Sequence, residues 1–240
     1  MKKFNKYFLP LLLIVLIAFV STCKKDEEEE APEYVNPSFA GQTELITAPE
    51  ALATSGNYYA SIAYTYVTVV NAYASLFGNL VLPANATQVK STGKSTQGGV
   101  TYTWSDGIHS VWVTYTETSS KYTWEYDYDE GEGRYHLIYA EEQKDGSGGL
   151  MKFNDVYYEQ EWDIIIEWTV NNDGSILWTW TDIYDNEVLE VLCNTDHSGY
   201  IKYYENDVLM LHITWDALGN GTWIDYSDDP PLSGSWSVTS

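Results

Sequence analysis

Two periods of apolar residues follow one another along this chain. In the stretch TAPEALATSGNYYASIAYTYVTVVNAYASLFGN, the residues Tyr59, Ile62, Ala63, Tyr66, Val70, Tyr73 and Phe77 recur at steps of three and four. That spacing puts them on one face and predicts a helix over about 48–78. Thr47 and Glu50 have the spacing of a capping box, Pro49 in the first turn gives up no hydrogen bond, and Gly78-Asn79 supplies a stop. Ser55-Gly56-Asn57 is a weak point, from which the continuous helix can begin instead. Its many Tyr and Val residues have low helix propensity, so the helix needs a tertiary surface to exist.

From Val100 the period becomes two. VTYTWSD sets Val100, Tyr102 and Trp104 on one side, and KYTWEYDYD does the same with Tyr122, Trp124, Tyr126 and Tyr128. DIIIEWTV, ILWTWTD, VLEVLCN, YIKYYEN, VLMLHITW and GTWIDYS follow at short, even spacing. Asp106-Gly107, Asp145-Gly146, Asp173-Gly174 and Gly219-Asn220-Gly221 separate such runs as turns. Connections this short force neighbouring strands to be antiparallel. The predicted fold is mainly β: an antiparallel meander of about ten strands over about 100–228. It forms a curved sheet or half-barrel covered by one N-terminal amphipathic helix, with a closed barrel as the second arrangement. In GYIKYY, Tyr200 and Tyr204 cannot share the side of Ile201 and Tyr203, so one set needs another partner, the helix or a ligand.

A repeat runs through the second half. DGSGGLMKFND, NDGSILWTWTD, DHSGYIKYYEND and LGNGTWIDYSD share a turn, a small residue and spaced aromatics at a period of roughly 22 to 26 residues. The span GYIKYYENDVLMLHITWDALGNGTWIDY resembles the bacterial variant of the MORN repeat, except that Asn206-Asp207 stands where that repeat usually has Asn-Gly. The resemblance implies sheet architecture and often binding or assembly, and no one activity.

The N-terminus carries a different signal. Lys2, Lys3 and Lys6 precede an apolar run from Tyr7 to Val20, shorter than the roughly 20 residues of a spanning helix. Val20-Ser21-Thr22-Cys23 resembles the lipobox of bacterial lipoproteins, with Thr22 at a position usually Gly, Ala or Ser. The resemblance implies cleavage before Cys23 and diacylglyceryl attachment to its sulfur, a membrane anchor through lipid chains. CKKDEEEE resembles the export signal of Bacteroidota lipoproteins and implies display on the outer face of the outer membrane. The organisation expected is a signal peptide at 1–22, an acidic tether at 23–46 and one domain at 47–240.

Charge narrows the partners. The formal net charge is −23, and removing Lys2, Lys3 and Lys6 leaves 9 basic against 35 acidic residues, or −26. Nucleic-acid binding is disfavoured by the want of clustered Lys and Arg, and so is adsorption to anionic lipid. With Cys23 lipidated, Cys193 has no intrachain partner, and its apolar run reads as a buried thiol.

Chemistry is sparse. DYDEGEG, 127–133, fails the EF-hand pattern because glycine falls at the fifth position, and His109, His136, His197 and His212 lack zinc spacing. No G-x-S-x-G, H-E-x-x-H or phosphate loop occurs, so the expectation is a non-enzymatic protein without cofactor or metal. The 10 Trp and 21 Tyr instead suggest an apolar or carbohydrate ligand. The candidate binding residues are Tyr66, Tyr73, Trp124, Trp178, Trp180 and Tyr203, each of which can equally be core. The alternative is a structural or protein-interaction module of the envelope. Complete filling of the sheet face by Tyr59, Tyr66, Tyr73 and Phe77 is the observation that favours the alternative.

Overall fold

The structure, a computed structural model, describes residues 46–78, 86–89, 99–131, 133–154 and 162–238. Cys23, the signal peptide, all but the last residue of the tether, Asn79 and Glu132 lie outside the described residues. A short helix α1 (Ala51–Thr54) precedes the main helix α2 (Tyr58–Gly78). Strands follow in the order β1 (Thr87–Val89), β2 (Val100–Ser105), β3 (Ser110–Glu117), β4 (Lys121–Asp129), β5 (Tyr135–Gln143) and β6 (Gly148–Phe153). Then come β7 (Ile164–Val170), β8 (Ile176–Asp182), β9 (Glu187–Cys193), β10 (Gly199–Glu205), β11 (Val208–Trp215), β12 (Gly221–Asp225) and β13 (Leu232–Trp236). Each strand pairs antiparallel with the next, from β1 to β13, in a single sheet.

The mainly β antiparallel meander covered by an N-terminal helix is thus the fold. Thirteen strands replace about ten, because β1 and β13 extend the sheet beyond both ends of the expected span. The sheet is open, not closed into a half-barrel or a barrel: among the described residues β1 pairs with β2 alone and β13 with β12 alone. Closure is one way to bury an apolar sheet face, and a covering helix is another.

The core follows from the register. Trp168, Trp178, Val191, Ile201, Ile213 and Trp223 are successive cross-strand partners from β7 to β12, so one row of side chains crosses six strands. All but Trp223 are buried. Fully buried side chains such as Ile201 and Ile213 each contribute about 1.5–3 kcal/mol. The intervening residues point to the opposite face, where Thr179, Glu190, Lys202 and His212 form a polar row.

Glycine lets tryptophan lie flat against the sheet. Gly199 faces Trp215 and Gly221 faces Trp236 in register. A Cβ on either would stand 2.5 or 2.2 Å from the indole Cζ2 and closer than 2.5 Å to a carbonyl oxygen, so no other residue fits. The two indoles also close hydrogen bonds, Trp215 Nε1 donating to His197 O at 2.8 Å and Trp236 Nε1 to Gly219 O at 2.6 Å.

The turns at that end of the strands share one construction. In Asn171–Ser175 and Asn194–Ser198 the first residue's N–H donates to the fifth residue's carbonyl at 2.8 Å, and the asparagine Nδ2 reaches the serine Oγ at 2.9 Å. Asp216–Asn220 closes in the same way with the carboxylate first. At the opposite end Asn206 and Asp207 take φ of 51° and 63°, the conformation of a two-residue hairpin turn, which Asn and Asp tolerate. The replacement of Asn-Gly by Asn-Asp is therefore accommodated locally.

Helix α2 differs in detail from expectation. Glu50, not Thr47, occupies the N-cap position of α1 and makes no side-chain cap bond. The chain breaks at Gly56, with φ of +69°, and Asn57 caps α2 by accepting from the N–H groups of Tyr59 and Ala60 at 3.0 and 3.2 Å. The buried line is Ala60, Ala63, Val67, Val70 and Tyr73, with Tyr59, Ile62 and Tyr66 half-buried beside it. No described helix is long and apolar enough to cross a membrane.

Candidate functional site

The face of the sheet under α2 is where most of the sequence-derived candidates meet. Near the helix start, the Tyr59 ring stacks on Trp223 of β12 with centroids 3.9 Å apart, and its hydroxyl donates to Asp225 at 3.1 Å. Fourteen residues further along, Tyr73 packs against Phe153 of β6 at 6.4 Å. The helix therefore runs across the strands from β12 to β6. Burial drives the Tyr73 hydroxyl up to about 12, and burial with the Asp225 carboxylate does the same for Tyr59.

Five of the six candidates belong to this zone. Trp178 is buried and stacks on Trp168 at 5.3 Å, and Trp180 follows it on the same face, between Ile166 and Leu189. Tyr66 is half-buried, its hydroxyl pushed up to about 12 by burial and then by the charge of Glu187. Tyr203 feels the same carboxylate. Its hydroxyl donates to Glu205 at 3.0 Å, and burial followed by Glu187 holds it far above the usual tyrosine range. Trp124 is buried on β4, four strands from Trp178 and among Tyr115 and Tyr122 at 5.8 and 6.1 Å. It is not brought to the others.

These rings are occupied by the protein itself. Ala60 and Ala63 have no exposed surface, and the helix's aromatic side chains sit on the sheet's. Of the second set in GYIKYY, Tyr200 finds partners within the chain: it lies under Lys202 at 4.7 Å and beside His212 at 6.1 Å, on the polar face.

Toward one end of the covered face the chemistry changes from apolar to acidic. Asp182, Glu187 and Glu205 are cross-strand partners on β8, β9 and β10, in the row after Trp180, Leu189 and Tyr203. Partial burial and then neighbouring carboxylates raise the Glu187 carboxyl, whereas the Tyr203 hydroxyl works against the shift. Asp182 is raised by burial first, with Asp185 adding its charge. Sequence reading missed this row because its members lie 5 and 18 residues apart and only the register aligns them.

A second polar cluster sits on the other face. Asp127 is buried, accepts from Arg134 Nε at 2.8 Å and from Arg134 Nη2, and lies 2.5 Å from His136 Nδ1. The Arg134 guanidinium covers the Trp112 ring at 4.7 Å. The charges compensate one another within the cluster. In the adjoining hairpin, Asp129 Oδ1 accepts from the N–H groups of Gly131 and Gly133, so this carboxylate serves the turn. Cys193 is buried, and burial pushes its thiol up to about 12, which makes it inert at neutral pH. No group of three metal-ligating side chains occurs among the described residues.

Compared with known proteins, the chain matches no family model and no curated protein.

Proposed function

We propose that the protein is a lipid-anchored lipoprotein of the outer membrane, displayed outward, whose sheet domain is a non-enzymatic module that binds a macromolecular partner. The observation that carries the choice of partner is the occupancy of the aromatic face. Tyr59 on Trp223, Tyr73 against Phe153 and the fully buried Ala60 and Ala63 use the surface that an apolar ligand or a sugar ring would need. The lipobox-like stretch ending at Cys23 and the acidic tether after it support the address. The MORN-like repeat supports an assembly or binding role.

The test is made on the full chain expressed in a Bacteroidota host. Palmitate label is expected on the protein and is expected to vanish in Cys23→Ser, and protease added to intact cells is expected to remove the domain. A chain that stays unlabelled, or that is protected until the envelope is broken, overturns the address. Native mass spectrometry of gently purified protein checks the partner. A clean mass is expected, and a reproducible extra small-molecule mass lost on unfolding would restore the small-ligand reading.

A further inference from the structure

We propose that the end of the sheet carrying the β8–β9, β10–β11 and β12–β13 connections docks an extended protein segment in which Lys or Arg alternates with apolar residues. This rests on the reading of the chain as a binding module. Large apolar side chains stand in solvent along this end: Tyr184 and Val208 are each 59% exposed, Leu232 50% and Ile183 39%. Their turns and strand ends adjoin one another. The Asn206 N–H donates to the Asn186 carbonyl at 2.9 Å, tying the turn with Tyr184 to the turn before Val208. The Tyr226 N–H donates to the Met210 carbonyl at 2.8 Å, and Leu232 is the register partner of Asp225. At about 4.8 Å between strands, the line from β9 to β13 is about 20 Å, the length of about six extended residues. Single exposed apolar residues are ordinary, whereas a contiguous run rimmed by charge marks a contact surface.

Charge decides the occupant. Asp182, Asp185, Glu187, Glu205 and Asp207 lie in the same turns and strand ends, and Asp225 ends β12. Beyond Lys152 the sequence contains a single Lys or Arg, Lys202. That lysine sits in mid-strand on the opposite face, 3.9 Å from Glu190. Among the described residues this end thus carries negative charge with no cation of its own. An anionic membrane is repelled by it, as is a second copy bearing the same charge. A segment with alternating cations and apolar side chains can set the cations among the carboxylates and the apolar groups on Tyr184 and Val208.

The test titrates a fluorescein-labelled synthetic peptide of alternating Lys and Val into the full chain, followed by anisotropy at low and moderate salt. Saturable binding is expected, at least tenfold tighter than that of oligolysine of equal charge. The double variant Tyr184→Ser, Val208→Ser is expected to weaken it about tenfold. Asp185→Asn with Asp207→Asn is expected to weaken it and flatten its salt dependence. Leu218→Ser, at a position 71% exposed in a turn at the opposite end, is expected to leave it unchanged. Equal affinity of the three variants, equal binding of oligolysine, or no binding overturns the proposal. Failure of the anchor and display tests would leave this result standing, and a lipidated, displayed chain that ignores the peptide would fail this proposal alone.

Discussion

At the residue scale, what stands out is how many polar groups are used by their immediate neighbours. The carboxylates of Asp173 and Asp196 accept from the Oγ and N–H of Ser175 and Ser198, and these bonds lower both from the usual aspartate value. Asp182 and Glu187 go the other way, raised by burial and like charge. A carboxylate raised in the folded state binds more protons than in the unfolded chain, so its contribution improves as pH falls and is lost as pH rises through the folded value. His212, lowered by burial and then by Lys202, opposes this in the same range, since its protonation below the ordinary 6.5 costs stability. The comparison of variants separates them. Asp182→Asn with Glu187→Gln is expected to be more stable than the parent at pH 7, with the difference shrinking toward pH 4.5. Urea unfolding across that range checks it, and a gap that does not change with pH would remove the like-charge account. Such shifts were illegible in the sequence, where only the abundance of acid shows. The buried, inert Cys193 was legible, because its run of apolar neighbours alternates with the strand period.

At the scale of elements, the strands were the most readable feature. Alternation of aromatic and polar residues with turn chemistry between them fixes both a strand and its inward face, since the side-chain period is two. The helix was legible as an element but not in its seat. Tyr and Phe are the conspicuous residues of α2, yet Ala60 and Ala63 are its most deeply buried positions, with no exposed surface, while Tyr59 and Tyr66 are half-buried. The start of α2 likewise belongs to Asn57 and Gly56 rather than to the Thr47–Glu50 pair. Asn57→Ala is expected to lower stability by about 1 kcal/mol, read as a lower urea midpoint at unchanged m-value. An unchanged midpoint would mean that packing of the helix face alone sets where it begins.

At the scale of the whole molecule, a meander in which every strand meets only its sequence neighbours is stabilised locally, strand by strand, and its ends are its weakest members. The slowest amide exchange is expected in β7 to β11, where the buried row from Trp168 to Ile213 runs beneath α2, and the fastest in β1 and β13. Uniform protection across all thirteen strands would show a single cooperative unit instead. The class of fold, the antiparallel order and most turns were decided by the sequence alone. Periodicity and short connections are local properties, and they leave a meander no other way to pair. Which rings meet and which are used up by the helix were decided only by the tertiary structure, as was the alignment of Asp182, Glu187 and Glu205 beside the exposed Tyr184 and Val208. Those facts depend on register and on how closely two surfaces approach, which residues distant along the chain settle together.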